Sequence, residues 1–326
     1  MRLLLAMMLL GCGEEPVPSA PVSNAKPEAS PTVSAGARPV ARDVVQIPSG
    51  VVTMGPRRLP AVSEAFRMPA GGIPPATAIA PEKVEPSPWV SMGGHGLPPR
   101  TVMVDSFVID RTEVTKAAYF RFLRDTGYRL PHVSEPWAAD GWNWAASGEL
   151  PEDPNHPVVM VNFYDARAYC RWRGMRLPTE AEWQLAALGP QHEGRIFPWG
   201  NRYDDQLLNH GRMEEPNFDD ADGHSRTAPV GSYPAGRGPY GLDDAFGNAW
   251  EFTADFRMDD WRWMQHDGYG TQSSLRNARM RGPGLRVAVR GGSFYFDFRP
   301  NPGGEWASFS PEVRRKSSGF RCAADA

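Results

Sequence analysis

Thiolates act in proteins as nucleophiles and as soft metal ligands, and this chain has three cysteines that could supply them: Cys12, Cys170 and Cys322. Cys12 follows a short apolar run at the N-terminus, whereas the other two lie in the body of the chain. In an exported protein, an oxidising compartment favours a disulfide over two free thiols. The alternative is a buried reduced pair, since free cysteine packs well in cores.

Composition restricts the fold and the partners. The 326 residues have a formal net charge of -3, which provides no concentrated basic face for nucleic acid. The 33 glycines and 33 prolines exceed the usual share of about 7% and 5% for these residue types. Much of the chain is therefore expected to form turns and irregular backbone.

The N-terminus predicts export. The chain begins with a methionine and one positively charged residue, which is followed by an apolar run and then by Leu-Leu-Gly before Cys12. The apolar run is far shorter than the roughly 20 residues of a membrane-spanning helix. This segment resembles the lipobox of bacterial lipoproteins, so we predict a signal peptide over residues 1–11 and lipidation of Cys12. Gly13, which is not Asp, favours the outer membrane. The alternative is a buried N-terminal strand with an incidental cysteine.

Two segments predict a poorly ordered backbone. Residues 12–43 are rich in Pro, Ala and Ser, with few large apolar side chains, so they cannot bury enough surface to offset their ordering entropy. We interpret them as a tether between the lipid anchor and the folded domain. Residues 56–98 are rich in Pro and Gly and show no periodic pattern, which indicates a flexible insertion. The alternative there is a loop or lid that binds a partner.

Three helices can be predicted from their end signals. Residues 115–127 place apolar side chains on one face and end at a glycine. Asn162 is an N-cap residue ahead of a second helix, which should end near Gly174. Thr179 begins a capping box, Thr-Glu-Ala-Glu, ahead of a third helix.

Seven motifs in a fixed order resemble those of the formylglycine-generating enzyme family, also called sulfatase-modifying factors. They include Leu-Pro-Thr-Glu-Ala-Glu-Trp, Phe-Pro-Trp-Gly-Asn, Gly-Asn-Ala-Trp-Glu, Arg-Gly-Gly-Ser and Gly-Phe-Arg-Cys-Ala. The motifs occupy residues 157–172, 176–183, 197–201, 227–230, 241–251, 290–293 and 319–323.

The resemblance implies a single domain over residues 44–326, interrupted by the insertion at 56–98. It implies an α+β fold that is loop-rich, related to C-type lectins, and poor in long regular elements. The positions of Cys170 and Cys322 match a structural disulfide of secreted members, so we predict that bridge. The Leu-Pro-Thr-Glu-Ala-Glu-Trp block is expected to serve packing and no catalysis.

Catalytic members bind copper(I) through a pair of cysteines a few residues after Gly-Gly-Ser, and they oxidise the cysteine of a Cys-x-Pro-x-Arg peptide. Phe296 and about Asn301 align with those cysteines here. Neither a phenyl ring nor a carboxamide replaces a thiolate as a ligand of copper(I). We therefore expect no copper. Iron is not expected either, because the His-x-x-x-His-x-Glu motif of the sulfoxide synthase branch is absent from the sequence.

The resemblance further implies calcium at two sets of residues and assigns a pocket. The first calcium set is Asp244, Gly247, Ala249 and Glu251. The second calcium set is Asn209, His210, Asp222 and His224, in which the histidines offer backbone carbonyls. Calcium binds about six to eight oxygens, and a tight glycine turn lets backbone carbonyls converge where a helix would point them along its axis. The alternative for the acidic residues of both sets is that they lie in solvated turns, where Asp and Asn favour the loop conformation. The pocket candidates are Trp250, Ser293 and Phe296.

The aromatic segment around the pocket has two interpretations. Strand alternation would place Phe294, Phe296 and Phe298 on one face, which is either core or the floor of an altered binding groove. The leading hypothesis is a non-catalytic, calcium-stabilised envelope lipoprotein that is anchored in the membrane and binds a protein or peptide. The alternative is an oxidoreductase or protein-modifying enzyme, of the sulfatase-maturation or pyoverdine-maturation type, whose chemistry does not need the copper cysteines.

Overall fold

The computed structural model describes residues 43–54, 100–134, 136–139, 141–144, 149–190, 195–211, 221–258, 285–296, 298 and 306–326. The predicted signal peptide with Cys12, the tether except its last residue, the insertion at 56–98, and Asn301 lie outside the described residues. No helix within the described ranges has the length and apolar character needed to cross a bilayer.

Helix α1 (Lys116–Thr126) forms where the apolar face and the terminal glycine predicted it. The side chain of Thr115 accepts a hydrogen bond from the backbone N–H of Ala118 at the N-terminus. Gly127 ends the helix with a φ of 65°, a left-handed conformation that glycine adopts without strain. The buried face of α1 carries Tyr119, Phe122 and Leu123.

Helix α2 (Phe163–Trp172) and helix α3 (Glu180–Leu188) both begin with a complete capping box. Asn162 caps α2 and Thr179 caps α3, and both caps are confirmed. Every residue of α3 is buried, and Trp183 is fully enclosed. The Leu-Pro-Thr-Glu-Ala-Glu-Trp block therefore forms part of the core.

The described strands are short and form three small sheets. The sheets have the orders β1-β4-β9, β2-β3 and β7-β6-β5-β8. The strands are β1 Val44–Ile47, β2 Gly50–Met54, β3 Arg100–Val104, β4 Phe107–Asp110, β5 Trp250–Met258, β6 Leu285–Arg290, β7 Trp306–Phe309, β8 Ser318–Gly319 and β9 Ala323–Asp325. Separate helices and mainly antiparallel strands confirm an α+β, loop-rich fold.

The C-terminal segment joins two of these sheets. Strand β8 pairs in parallel with β5, and strand β9 pairs antiparallel with β4. The residues between them, 320–322, therefore pass from one sheet to the other through the interior. Phe320, Arg321 and Cys322 are each 0% exposed.

The predicted disulfide between Cys170 and Cys322 is confirmed. It joins helix α2 to the C-terminal segment across 152 residues of sequence, and both residues are fully buried. The backbone N–H of Cys322 also donates to a carboxylate oxygen of Asp110. The bridge occupies both cysteines of the folded domain, so that domain has no thiol available to a metal.

Candidate functional site

A fully buried ion pair lies at the centre of the molecule. Arg321 donates through Nε and Nη2 to the two carboxylate oxygens of Glu251, and each distance is 2.6 Å. Both side chains are 0% exposed. The indole N–H of Trp183 donates to Oε2 of the same carboxylate at 2.8 Å. Burial alone would lower the pKa of Arg321, but the charge and hydrogen bonds of Glu251 outweigh burial and raise it.

The remaining donors of Arg321 hold irregular backbone. Nη1 donates to the carbonyl oxygen of Arg111 at 2.8 Å, and Nη2 donates to that of Asp243 at 3.0 Å. One side chain thus connects the C-terminal segment, strand β5, the end of strand β4 and the loop before β5. These contacts satisfy a guanidinium that would otherwise be costly to bury.

The contacts of Glu251 bear directly on its expected role as a calcium ligand. A carboxylate offers about four lone-pair positions, and three N–H groups already donate to this one. One of its partners is also a cation, which would repel a metal ion. In this arrangement Glu251 is better suited to be the counter-ion of Arg321 than a ligand of calcium. Its role as a calcium ligand stays a prediction.

Three further acidic residues, Glu113, Asp243 and Asp244, surround the ion pair, and with Glu251 we call them the buried carboxylate cluster. Each of the three is at most 7% exposed. Asp243 pairs with Arg237 at the surface. Within the described part of the chain, neither Glu113 nor Asp244 lies within salt-bridge distance of a cation. Among the described residues, these two buried carboxylates therefore form no direct ion pair.

Burial shifts both groups towards their neutral forms, although the charge of Arg321 opposes the shift. Burial raises the pKa of Glu113 well above its ordinary value, and the charge of Asp244 adds to the effect. Burial likewise raises the pKa of Asp244 to about 6, although the N–H of Gly231 donates to its carboxylate. Protons or a bound cation would neutralise the cluster.

Asn248 connects this cluster to the second predicted calcium set. Its side-chain N–H donates to Oε1 of Glu113 at 3.0 Å. Its side-chain oxygen accepts from the N–H of Ala228 at 2.8 Å and from Asn209 at 3.2 Å. Asn248 has a φ of 55°, a left-handed conformation that asparagine tolerates. The two predicted calcium sets are therefore adjacent.

The structure brings Asn209, His210, Asp222 and His224 together. The carboxylate of Asp222 accepts from the backbone N–H groups of His210, at 2.7 Å, and His224, at 3.0 Å. The side-chain oxygen of Asn209 is buried and accepts no hydrogen bond from any described residue. A buried oxygen that lacks a donor fits a cation ligand, because leaving it unsatisfied is costly. The carboxylate of Asp222 accepts two N–H groups, much as that of Glu251 accepts three, so only the unsatisfied oxygen of Asn209 distinguishes this set. Calcium at this set stays a prediction.

The turn between Asp244 and Glu251 is formed as the sequence indicates. Gly247 has a φ of 86°, and a Cβ at this position would lie 2.2 Å from the carbonyl oxygen of Asn209. Only glycine allows this approach, which places the two calcium sets in contact. Ala249, the residue before strand β5, is fully buried and packs with Ala138, Val159 and Met160.

The three pocket candidates lie close together, but only part of the pocket is exposed. The rings of Trp250 and Phe296 meet edge to face with centroids 5.4 Å apart. Ser293 is 1% exposed, and its hydroxyl accepts from the N–H of Tyr295. Trp250 is 7% exposed and Phe296 is partly exposed. An aromatic wall therefore occupies the predicted pocket.

The prediction that Phe294, Phe296 and Phe298 alternate along a strand is wrong. Strand β6 ends at Arg290, and the next residues, Gly291 and Gly292, have φ values of 95° and 74°. These conformations end the extended backbone.

The three rings consequently do not share one face, and Phe296 lies between Trp250 and Phe298, with ring centroids 5.4 Å and 4.8 Å away. Phe294 stacks on Trp142, whereas Phe298 packs against Phe246 in the core. Phe294 and Phe298 are 2% and 0% exposed, which favours the core interpretation for these two rings.

Sequence reasoning missed the roles of Glu113, Asn248 and Arg321. Arg321 belongs to the Gly-Phe-Arg-Cys-Ala motif and Asn248 to the Gly-Asn-Ala-Trp-Glu motif, so both were visible as motif residues without a role. Glu113 follows strand β4 in an ordinary polar turn, and no sequence signal indicates its burial.

The sulfatase-modifying factor enzyme 1-like domain model matches residues 30–326 of the chain. The chain belongs to this family. The match spans both predicted calcium sets, the disulfide and the pocket.

Individual relatives in the family differ in activity according to their names. A formylglycine-generating enzyme of Thermomonospora curvata is 33% identical over 273 residues, which cover 71% of this chain and 86% of that protein. The inactive C-alpha-formylglycine-generating enzyme 2 of Bos taurus is 35% identical over 193 residues, which cover 49% of this chain and 63% of that protein. PvdO from Pseudomonas aeruginosa has the same fold, with a TM-score of 0.58 at 23% identity over 87% of this chain and 94% of that one.

Removing one partner of the central ion pair should destabilise the protein strongly. Glu251→Gln leaves the charge of Arg321 buried without compensation, so we expect a loss of about 3–5 kcal/mol in the free energy of unfolding. Asp43→Asn, which removes one partner of the exposed pair between Asp43 and Arg111, should change it by less than about 1 kcal/mol. Urea denaturation of both variants measures the difference, and equal losses would contradict this role.

The stability of the metal-free protein should depend on the protonation of Asp244. The folded state raises the pKa of this carboxyl, so the protonated form favours folding. This contribution to the free energy of unfolding is complete below about pH 4 and is lost as the pH rises through about 6. Asp244→Asn cannot titrate. In the presence of a chelator, wild-type protein should therefore lose stability relative to Asp244→Asn between about pH 4 and pH 7. Urea denaturation at several pH values measures this, and parallel pH profiles would contradict it.

Proposed function

We propose that this chain is a non-catalytic, calcium-stabilised lipoprotein of the cell envelope that binds a protein or peptide partner. The observation that carries the proposal is the Cys170–Cys322 disulfide, because it leaves the folded domain without a thiol. Copper(I) chemistry requires soft sulfur ligands. The only other cysteine is Cys12, which we assign to the lipid anchor.

The aromatic wall supports a binding role. Phe296 lies against Trp250 at the position where a metal ligand is expected in catalytic relatives. An apolar, partly exposed surface of this kind suits contact with a peptide or protein. The name of the inactive relative in Bos taurus is consistent with loss of the oxidase activity in this family.

Calcium has two supporting observations. The buried oxygen of Asn209 lacks a donor among the described residues, and Glu113 and Asp244 lack a cationic partner there. When bound, calcium would supply positive charge beside these groups. Asn209 and Asp222 would hold it through side-chain oxygens, and the adjacent turns would be fixed as a result.

The envelope location rests on the N-terminus. We propose that Cys12 is lipidated after removal of residues 1–11, and that residues 12–43 tether the domain to the outer membrane. Acyl chains contribute about 0.8 kcal/mol per buried CH₂, so lipidation would hold the chain at the membrane.

An oxidoreductase or protein-modifying enzyme of the same family is the second candidate. The identity of 33% to a formylglycine-generating enzyme favours it. Such an enzyme would need chemistry that uses no protein thiolate.

Elemental analysis of the full-length protein, extracted from membranes in mild detergent, separates these two candidates. We expect bound calcium, background copper and iron, and no oxygen uptake with thiol peptides. Asp222→Asn should lower the calcium content, whereas the matched change Asp125→Asn on the exposed face of α1 should not. Stoichiometric copper or iron together with oxygen uptake would overturn the proposal.

A further inference from the structure

Glu113 is a buried carboxylate that belongs to neither of the two predicted calcium sets. Its Oε1 atom accepts from the side chain of Asn248 at 3.0 Å, whereas its Oε2 atom is buried and accepts no hydrogen bond from any described residue. We propose that Glu113 is a calcium ligand at the first calcium set, in the place that the family resemblance gives to Glu251. The proposal rests on the calcium binding proposed above and names the carboxylate that holds the ion.

Arg321 cannot satisfy Glu113, although its charge acts on that carboxyl. A guanidinium has five N–H donors, and Arg321 makes five hydrogen bonds. Two of them go to Glu251, and three go to backbone carbonyl oxygens. Burial raises the pKa of Glu113 and the charge of Asp244 raises it further, so the attraction to Arg321 does not balance these two effects. No donor of Arg321 is left for Glu113.

The geometry limits how many carboxylates one ion can bind. Among the described residues, no three side chains of His, Cys, Asp or Glu lie close enough together to hold one metal ion. An ion here would therefore take at most two carboxylates, and its other oxygens would come from backbone carbonyls and water. Glu251 already accepts from three N–H groups, whereas Asp244 accepts from one, that of Gly231. Glu113 and Asp244 are thus the two carboxylates with the most lone pairs left.

The turn that follows Asp244 offers backbone oxygens. Gly247 and Ala249 are buried, and among the described residues no N–H or O–H group donates to the carbonyl oxygen of either. Buried carbonyls without a donor are uncommon, because leaving them unsatisfied costs free energy. Asn248 lies between these two residues in the chain and donates to Glu113, so it holds that carboxylate at the turn. Two carboxylates and two carbonyls, together with water, can provide the roughly six to eight oxygens that calcium binds.

Glu113→Gln tests this role with little change of shape. The amide keeps an oxygen that can accept from Asn248, but it carries no charge. In the absence of calcium an uncompensated buried charge is costly, so the variant should be at least as stable as the wild type. In the presence of calcium the variant lacks a ligand, so the ion should stabilise it less.

Isothermal titration calorimetry of the full-length protein in detergent measures the affinity, after a chelator has removed bound ions. Glu113→Gln should bind calcium at least about tenfold more weakly than the wild type. Asp244→Asn should cause a similar loss, and the double variant should lose little more than either single variant, because both residues would hold the same ion. Glu152→Gln is the matched control, since Glu152 is exposed, and it should leave the affinity unchanged.

Thermal unfolding distinguishes a ligand from a residue that only supports the fold. We expect the Tm of Glu113→Gln to equal or exceed that of the wild type in a chelator, and to lie below it in excess calcium. A merely structural role would lower the Tm under both conditions.

Unchanged calcium affinity in Glu113→Gln would overturn the inference, as would an equal loss of Tm with and without calcium, or additive losses in the double variant. In each of these cases the wild type still binds calcium, and the proposed function stands. A wild type that shows no calcium binding would instead remove calcium from the proposed function together with this inference. Stoichiometric copper or iron with oxygen uptake is the separate result that overturns the non-catalytic role.

Discussion

The pairing of Arg321 with Glu251 fixes the geometry of everything around it. A guanidinium at 0% exposure is tolerated only when nearly all its N–H groups have acceptors, and here they reach one carboxylate and the carbonyls of two loops. The pair consequently determines where the loop before β5 lies relative to the C-terminal segment. The disulfide acts at the adjacent residue, Cys322, and ties the same segment to helix α2.

Polar turns pack around this pair in place of a large sheet. Asp244 and Glu113 lie beside it without cations of their own, and Asn248 links them to Asn209. The two carboxylates need either a positive charge beside them or protons of their own. We propose that calcium meets this requirement, neutralising buried acids and holding irregular backbone that no strand or helix satisfies.

Local signals predicted the local structure well. The caps Asn162 and Thr179 and the terminal Gly127 each act within one helical turn, so the sequence around them was sufficient to place the three helices. The bridge between Cys170 and Cys322 followed from family resemblance. The alternation proposed for residues 294–298 failed because two glycines in left-handed conformations end the strand before it can alternate.

The site was harder to predict because its contacts join residues far apart in sequence. Glu113 meets Asn248, and Arg321 meets Glu251, only after the sheets have assembled. Motif membership identified which residues matter in this family, but their partners were visible only in three dimensions.

Because the two cysteines of the domain are bridged, we propose that it does not oxidise a peptide cysteine with copper. The most direct measurement incubates the full-length protein with copper(I), oxygen and a Cys-x-Pro-x-Arg peptide, and then traps any aldehyde with a hydrazine reagent. The Thermomonospora curvata formylglycine-generating enzyme serves as the positive control. This account predicts that the peptide cysteine stays unchanged, and catalytic formation of the aldehyde by this chain would contradict it.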